Sequence, residues 1–152
     1  MTSESTTNER SSSDIIVIDA SLVFRLVVHH PTQPIVQEHF QAWIDQGHDL
    51  ITPSLWFYEI TSAITKAIHF KHLTQPEADS ALQQAFDLDI EVIQPSETLA
   101  INAAAWTTKL QRANAYDSFY LALADYYNAP LWTADGKLVR AVNQAWVRLG
   151  TE

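Results

Sequence analysis

Short apolar runs alternate with longer stretches of mixed polar and apolar residues from Asp14 onward. The first run, IIVI at 15–18, is β-branched and is not interrupted by polar residues, which is typical of a strand covered on both faces. Further short runs predict strands at about 50–52, 90–93 and 131–133, with a candidate final strand at about 146–149. The pattern therefore predicts several short strands spread over the whole chain.

Helical patterns fill the intervals between these runs. Pro53-Ser54 and Pro95-Ser96 are helix-start signals, and Gly47 closes an earlier helix. The predicted helices cover about 21–28, 34–46, 54–70, 75–87, 96–112, 117–127 and 136–145. Strands separated by helices imply right-handed crossovers and a mainly parallel sheet with helices on both faces. The predicted fold is therefore α/β, a three-layer α/β/α sandwich.

The length of 152 residues is that of one domain. Residues 1–13 are polar and carry no apolar core, so we expect a disordered tail rather than a secretory signal, followed by a single domain over 14–152. No apolar run approaches the roughly 20 residues that cross a bilayer, so we expect no membrane association and a cytoplasmic protein. The absence of cysteine excludes disulfides and thiolate metal sites.

The charge balance argues against nucleic-acid binding at first sight. There are 18 acidic and 9 basic residues, which gives a formal net charge of −9. Phosphate backbones repel an acidic surface. That objection weakens if some of the acids form a metal site, because bound divalent cations reverse the local charge.

Four acidic residues occupy positions that the pattern predicts to be buried or close to a strand end. Asp19 and Asp135 directly follow predicted strands, Asp117 begins an apolar helix, and Glu59 borders the apolar face of another helix. Each has an ordinary structural interpretation: the three aspartates could cap helices, and Glu59 could reach water. Taken singly, these structural roles are the better explanation.

Taken together, the four acids favour a metal site. The carboxyl ends of parallel strands meet at one edge of a sheet, where ligands bind in this class of fold. Carboxylates held close together repel one another unless cations neutralise them. A site made only of oxygen donors suits Mg²⁺ or Mn²⁺.

At these residues the chain resembles the PIN-domain nucleases, and within them the VapC-type toxins of toxin–antitoxin pairs. The resemblance covers about 14–149 and is carried, in order, by VIDASLV, YEITSAI, AYDSFYLALA and LWTADGKL. It implies an α/β/α sandwich and a Mg²⁺- or Mn²⁺-dependent endoribonuclease. The implied catalytic and metal-binding residues are Asp19, Glu59, Asp117 and Asp135.

The resemblance also implies secondary residues and partners. Ser21 and Thr133 stand where the family often has small polar residues near the metal, although helix capping and a strand-end hydroxyl explain them equally well. Lys66, Lys137 and Arg140 could contact RNA phosphates or could simply be solubilising surface charges. The expected partners are an RNA substrate, a small antitoxin protein and a second copy of the chain.

Two other functions are compatible with parts of the pattern. The scarcity of basic residues favours a PIN-fold binding or scaffold module without nuclease activity. Acids at strand ends also occur in phosphotransfer receiver domains. A receiver places a pair of acids after the first strand and a lysine after the last, whereas here Asp19 alone follows the first strand and no lysine follows the last. The receiver is therefore the weakest of the three hypotheses.

Overall fold

The computed structural model describes residues 14–152, so the predicted N-terminal tail at 1–13 lies outside the described residues. Five strands and seven helices follow one another within this range. They are β1 (Ile15–Ile18), α1 (Ala20–Val27), α2 (Gln33–Asp45), β2 (Asp49–Pro53), α3 (Leu55–His69), α4 (Gln75–Phe86), β3 (Glu91–Ile93), α5 (Glu97–Lys109), α6 (Tyr116–Tyr127), β4 (Leu131–Thr133), α7 (Gly136–Val142) and β5 (Val147–Leu149).

The five strands form one sheet in the order β3-β2-β1-β4-β5, and every neighbouring pair is parallel. Val17 of β1 pairs with Ile51 on one side and with Leu131 on the other, so β1 is central. The chain builds outward from β1 through β2 and β3, then returns to add β4 and β5 on the opposite side. The strand order therefore reverses between β1 and β4, and a crevice opens at such a point beyond the strand ends.

Helices cover the sheet in two layers, which confirms the predicted α/β/α sandwich. Helix α6 packs against β1, β2 and β4, and α5 packs against α6. Helix α1 packs against α2, α3 and α4 in the other layer. The continuous apolar run of β1 is explained by this arrangement, because Val17 and Ile18 have no solvent-accessible surface.

Three details of the predicted helices are wrong. Helix α7 ends at Val142 rather than near 145, because Asn143 adopts a left-handed conformation (φ 51°) that terminates the helix. Helix α5 ends at Lys109 rather than near 112, and Gln111 is likewise left-handed (φ 55°). The apolar pattern of α6 predicts a buried helix that includes Tyr126, but this side chain is 62% exposed, and the buried residues of α6 end at Ala124.

Among the residues that the structure describes, no helix combines the length and the apolar character that a membrane span requires.

Candidate functional site

A cleft of about 380 Å³ lies where the strand order reverses, beyond the carboxyl ends of β1 and β4. All four predicted acidic residues line it, although they come from four separate segments of the chain. The residues lining the cleft are Asp19, Ala20, Ser21, Phe24, Arg25, Glu59, Ala63, Asp117, Ala134 and Asp135. The parallel topology thus brings the four carboxylates to one edge of the sheet.

Asp19 is the most deeply buried carboxylate of the cleft, with 6% of its surface exposed. It caps α1 by accepting from the backbone N–H of Ser21 at 3.4 Å. Burial raises the pKa of Asp19, the hydroxyls of Thr133 and Ser21 lower it, and the nearby charge of Asp117 raises it further. Capping therefore accounts for only part of the environment of Asp19, because a cap alone does not require such burial.

Two hydroxyls hold Asp19 in place. Thr133 donates to Asp19 Oδ2 at 2.6 Å, and Ser21 donates to the same oxygen at 3.0 Å. The hydroxyls also accept from the segment after β4, Ser21 from the N–H of Ala134 and Thr133 from the N–H of Asp135, both at 3.0 Å. This network ties the start of α1 to the end of β4 and fixes the orientation of the Asp19 carboxylate.

Asp135 uses one oxygen to cap a helix and leaves the other unbonded. Its Oδ1 accepts from the N–H groups of Lys137 at 3.0 Å and Leu138 at 3.2 Å, at the start of α7. Oδ2 has no hydrogen bond to any residue in 14–152. Helix capping and a ligand role are therefore compatible at Asp135.

Asp117 lies in the first turn of α6, but it does not cap the helix. The N-cap residue is Ala115 and forms no side-chain capping bond, so the structural alternative predicted for Asp117 is wrong. Asp117 Oδ2 instead forms an ion pair with Arg112 Nη1 at 3.0 Å. Burial raises the pKa of Asp117, Arg112 lowers it, and Asp135 raises it.

Glu59 projects from α3 into the cleft rather than into bulk water. Burial raises the pKa of Glu59 to about 7, with further increases from the charges of Asp19 and Asp117. Tyr120 lies near enough to lower this pKa, but the geometry falls short of a hydrogen bond, and Glu59 Oε1 has no partner within the described residues. A buried polar atom without a partner costs about 1–3 kcal/mol, so Glu59 Oε1 lacks a partner that its burial calls for.

The donor chemistry of the cleft fits a hard divalent cation such as Mg²⁺ or Mn²⁺. Every candidate donor is an oxygen, Glu59 Oε1 is unpaired, and the pKa values of Asp19, Glu59 and Asp117 are raised partly by mutual repulsion. A cation would relieve that repulsion. Within residues 14–152, however, no three His, Asp or Glu side chains converge closely enough to form a ready-made metal cluster. The carboxylates would therefore have to move closer to bind a metal ion.

The basic residues chosen from the sequence lie outside the cleft. Lys66, Lys137 and Arg140 are exposed and are not among the residues that line it. Arg25 does line the cleft. The proposed phosphate contacts of the three exposed residues stay a prediction, and Arg25 is the cation that the cleft itself presents.

Sequence reasoning missed the roles of Arg112, Arg25 and Tyr120. Arg112 lies in the irregular segment between α5 and α6, where hydrophobic periodicity does not predict that it contacts Asp117. Arg25 lies four residues after Ser21 on α1, and this spacing places both on one helix face. Tyr120 lies three residues after Asp117, so the same rule could have revealed that it faces the site.

Comparison with known structures supports the fold. The chain is similar to VapBC2 from Rickettsia felis bound to a DNA fragment from their promoter (TM-score 0.65, 16% identity, covering 89% of this chain and 96% of the other). It is also similar to Mycobacterium tuberculosis VapC20, a sarcin-ricin loop cleaving toxin (TM-score 0.64, 15% identity, coverage 88% and 98%). A toxin–antitoxin complex from Klebsiella pneumoniae matches as well (TM-score 0.56, 15% identity, coverage 82% and 89%).

A search of curated protein sequences gave no match. The sequence does match the family model of the PIN domain over residues 16–143, which is most of the chain. This match begins in β1 and ends just beyond α7, so it includes all four acidic residues of the cleft. The chain therefore belongs to the PIN domain family.

Proposed function

We propose that this protein is a Mg²⁺- or Mn²⁺-dependent endoribonuclease that hydrolyses RNA phosphodiester bonds. The observation that carries the proposal is the placement of Asp19, Glu59, Asp117 and Asp135 on one cleft at the carboxyl edge of the sheet. Burial and mutual repulsion raise the pKa values of Asp19, Glu59 and Asp117. Carboxylates with raised pKa values that lie together in a cleft are typical of functional sites.

The four carboxylates have different tasks in this proposal. Asp19, Asp117 and Asp135 would hold the metal: Asp117 and Asp135 each have an oxygen that forms no hydrogen bond to any described residue, and Asp19 Oδ1 accepts only the long 3.4 Å bond from Ser21. Glu59 would act as a further ligand or would position a water molecule and accept its proton. A bound divalent cation would neutralise the phosphate and acidify the attacking water. No nucleophilic side chain is needed for this chemistry.

The RNA substrate would be held mainly by its scissile phosphate. Arg25 lines the cleft and Lys66, Lys137 and Arg140 are exposed outside it, so the chain has few basic residues for contacts with a long phosphate backbone. We therefore expect weak, salt-sensitive binding of RNA in the absence of metal.

We further propose that the protein is the toxin of a toxin–antitoxin pair, acts in the cytoplasm and forms a homodimer. The structural similarity to toxins and toxin–antitoxin complexes supports a small antitoxin partner. An apolar groove beside the cleft is lined by Leu55, Tyr58, Glu59, Ser62 and Tyr116. Tyr58 is 74% exposed and Tyr116 is 61% exposed, and exposed aromatic residues of this kind favour protein–protein contacts.

Replacement of single carboxylates tests the nuclease proposal. We expect Asp19→Asn and Asp117→Asn each to reduce Mg²⁺-dependent cleavage of total RNA at least about 100-fold, because each removes a charged ligand from the metal site. Asp79→Asn is a matched control, since Asp79 is an exposed acid on α4, outside the cleft. Circular dichroism and thermal unfolding would check that each variant folds. Full activity in either cleft variant would refute the assignment.

The second candidate function is a PIN-fold binding or scaffold module that does not cleave RNA. It is favoured by the absence of a ready-made metal cluster within residues 14–152 and by the exposed positions of the predicted phosphate-binding residues. Titration calorimetry with Mn²⁺ distinguishes the two functions. A nuclease requires saturable Mn²⁺ binding that Asp19→Asn weakens, whereas a module without a metal site gives no saturable binding.

A further inference from the structure

Three buried side-chain atoms have no hydrogen-bond partner within the described residues. They are Trp56 Nε1, Glu59 Oε1 and Tyr120 Oη. Native proteins contain few such atoms, and each needs an explanation. Two of the three belong to neighbouring side chains: Glu59 and Tyr120 lie close enough that each shifts the pKa of the other. The unpaired atoms are therefore concentrated beside the carboxylate cleft.

Tyr120 does not line that cleft but lies close to two of its carboxylates, Asp19 and Glu59. It is on α6, three residues after Asp117, so the two side chains share a helix face. The whole Tyr120 side chain is buried and is the largest fully buried one described. The charges of Asp19 and Glu59 act on its hydroxyl. The backbone of Ala20 also acts on this hydroxyl and lowers its pKa. A hydroxyl enclosed in this way has no access to water, so its proton needs an acceptor among the neighbouring protein groups.

Glu59 is the neighbouring carboxylate with an oxygen free to accept. Asp19 Oδ2 already accepts from Thr133 and Ser21, and the backbone N–H of Ser21 reaches Oδ1. Glu59 Oε1 accepts from no residue described. A carboxylate has two oxygens and several acceptor positions, so Glu59 can accept from Tyr120 with one oxygen while the other faces the cleft.

We propose that Tyr120 is a positioning residue whose hydroxyl donates to Glu59 and holds that carboxylate in the cleft when a divalent cation binds. This inference rests on the proposed metal-dependent function. Without the cation, the hydroxyl is an unpaired buried group that destabilises the fold. With a cation bound, one Glu59 oxygen would be held by the cation and the other would accept from the Tyr120 hydroxyl, so metal binding and the Tyr120–Glu59 hydrogen bond would support each other.

The alternative is that Tyr120 serves only to fill the core with its ring. The two interpretations differ in the Mn²⁺ affinity that they predict for Tyr120→Phe, which removes the hydroxyl and keeps the ring. Under both, the metal-free variant becomes more thermostable, by about 2–4 °C, since an unpaired polar group is lost. If Tyr120 is a positioning residue, the dissociation constant for Mn²⁺ also rises about tenfold. If only the ring matters, Mn²⁺ affinity does not change.

The experiment compares wild type, Tyr120→Phe and the control Tyr127→Phe by Mn²⁺ titration calorimetry and thermal unfolding in EDTA. Tyr127 is a half-buried tyrosine of the same helix and does not line the cleft, so its variant should leave Mn²⁺ affinity at the wild-type value. Repeating Tyr120→Phe in a Glu59→Gln background completes a double-mutant cycle. We expect the tenfold effect to shrink there, because a neutral amide oxygen accepts from the Tyr120 hydroxyl more weakly than a charged carboxylate does.

Each outcome has a separate meaning. An Mn²⁺ affinity of Tyr120→Phe within twofold of wild type overturns the inference while leaving the proposed function intact. A lack of saturable Mn²⁺ binding by wild type overturns the proposed function and this inference with it. If the variant does not fold, a crystal structure of the wild-type protein with Mn²⁺ decides: Tyr120 Oη within hydrogen-bonding distance of Glu59 supports the inference, and an unpaired hydroxyl refutes it.

Discussion

The starts of helices α1 and α4 place the same kinds of side chain in opposite environments. At α4, Thr74 accepts from the N–H of Glu77 at 3.3 Å, and Glu77 accepts from the N–H of Thr74 at 3.0 Å, which forms a reciprocal capping box. Both side chains are exposed. The hydrogen bonds from Thr74 lower the pKa of Glu77. At α1, by contrast, Asp19 is buried and its pKa is raised despite two hydroxyl donors.

This difference distinguishes Glu77, a solvated acid that stabilises a helix start, from Asp19, a buried acid of the proposed metal site. Glu77 forms its hydrogen bonds in water, so its charge is favourable in the folded state. Asp19 and Glu59 are held where folding itself penalises their charge, and the fold tolerates that cost. Glu77 and Asp19 thus differ in the direction of their pKa shift, although both lie at helix starts and form capping bonds.

Removal of the Thr133 hydroxyl should have the largest effect among the changes that test this comparison. Thr133→Val removes the 2.6 Å bond to buried Asp19 and leaves the N–H of Asp135 without its acceptor. We expect a loss of about 2–3 kcal/mol in the free energy of unfolding, because a buried carboxylate loses its shortest hydrogen bond and a partly buried N–H loses its acceptor. Urea unfolding at pH 7 measures it.

Mn²⁺ affinity should also fall in Thr133→Val, because Asp19 loses its strongest orienting contact. A stability change below about 0.5 kcal/mol, within the range of an ordinary surface substitution, would contradict the claim that this hydroxyl network fixes the site.

The pH dependence of stability gives the next largest effect. The pKa of Glu59 is about 7 in the fold, above its ordinary value of 4.5, so between these pH values the folded state binds more protons than the unfolded state. The stability associated with Glu59 is therefore present below pH 4.5 and is lost as the pH rises through 7. Because solvent screens a partly buried group, we expect Glu59→Gln to exceed wild type by about 1–2 kcal/mol at pH 8.

Urea unfolding in EDTA at pH 5 and pH 8 measures this effect. The stability difference between Glu59→Gln and wild type should shrink at pH 5. Saturating Mn²⁺ should reverse it at pH 8, because the charged Glu59 carboxylate binds the cation better than the neutral amide that replaces it. If Glu59→Gln is less stable than wild type at pH 8 in EDTA, the ionised Glu59 carboxylate does not destabilise the fold, and the prediction is wrong.

The fold was predictable because its signals are local. The β-branched run of β1 and the proline and serine signals before α3 and α5 act within a few residues, and the observed elements lie close to the predicted ones. The errors in helix length arose at the C-terminal ends, where single left-handed residues such as Gln111 and Asn143 determine where the helix stops. Nothing in hydrophobic periodicity reports such conformations.

The site was only partly predictable, because its chemistry depends on contacts between distant segments. The strand ends indicated where Asp19 and Asp135 would lie. The sequence could not distinguish the capping and site interpretations of Ser21 and Thr133, and in the structure both hydroxyls contact Asp19. Hydrophobic periodicity is consistent with the burial of the Tyr120 ring in the core, but it does not report what the hydroxyl contacts.

The capping box of α4 provides the smallest expected effect. Thr74→Ala removes one side of the reciprocal pair, which should cost about 0.5–1 kcal/mol of unfolding free energy, a typical loss for an N-cap threonine. Since the hydrogen bonds from Thr74 lower the pKa of Glu77, their stabilisation is present at neutral pH and is lost as the pH falls through the lowered pKa. That direction is opposite to the one expected for Glu59.

Urea unfolding of Thr74→Ala at pH 3 and pH 7 measures this dependence of stability on pH, and the Mn²⁺ affinity of the same variant should match wild type. A changed Mn²⁺ affinity in Thr74→Ala would mean that α4 and the cleft are coupled, and the separation between structural and site acids would then fail at the helix used to define it.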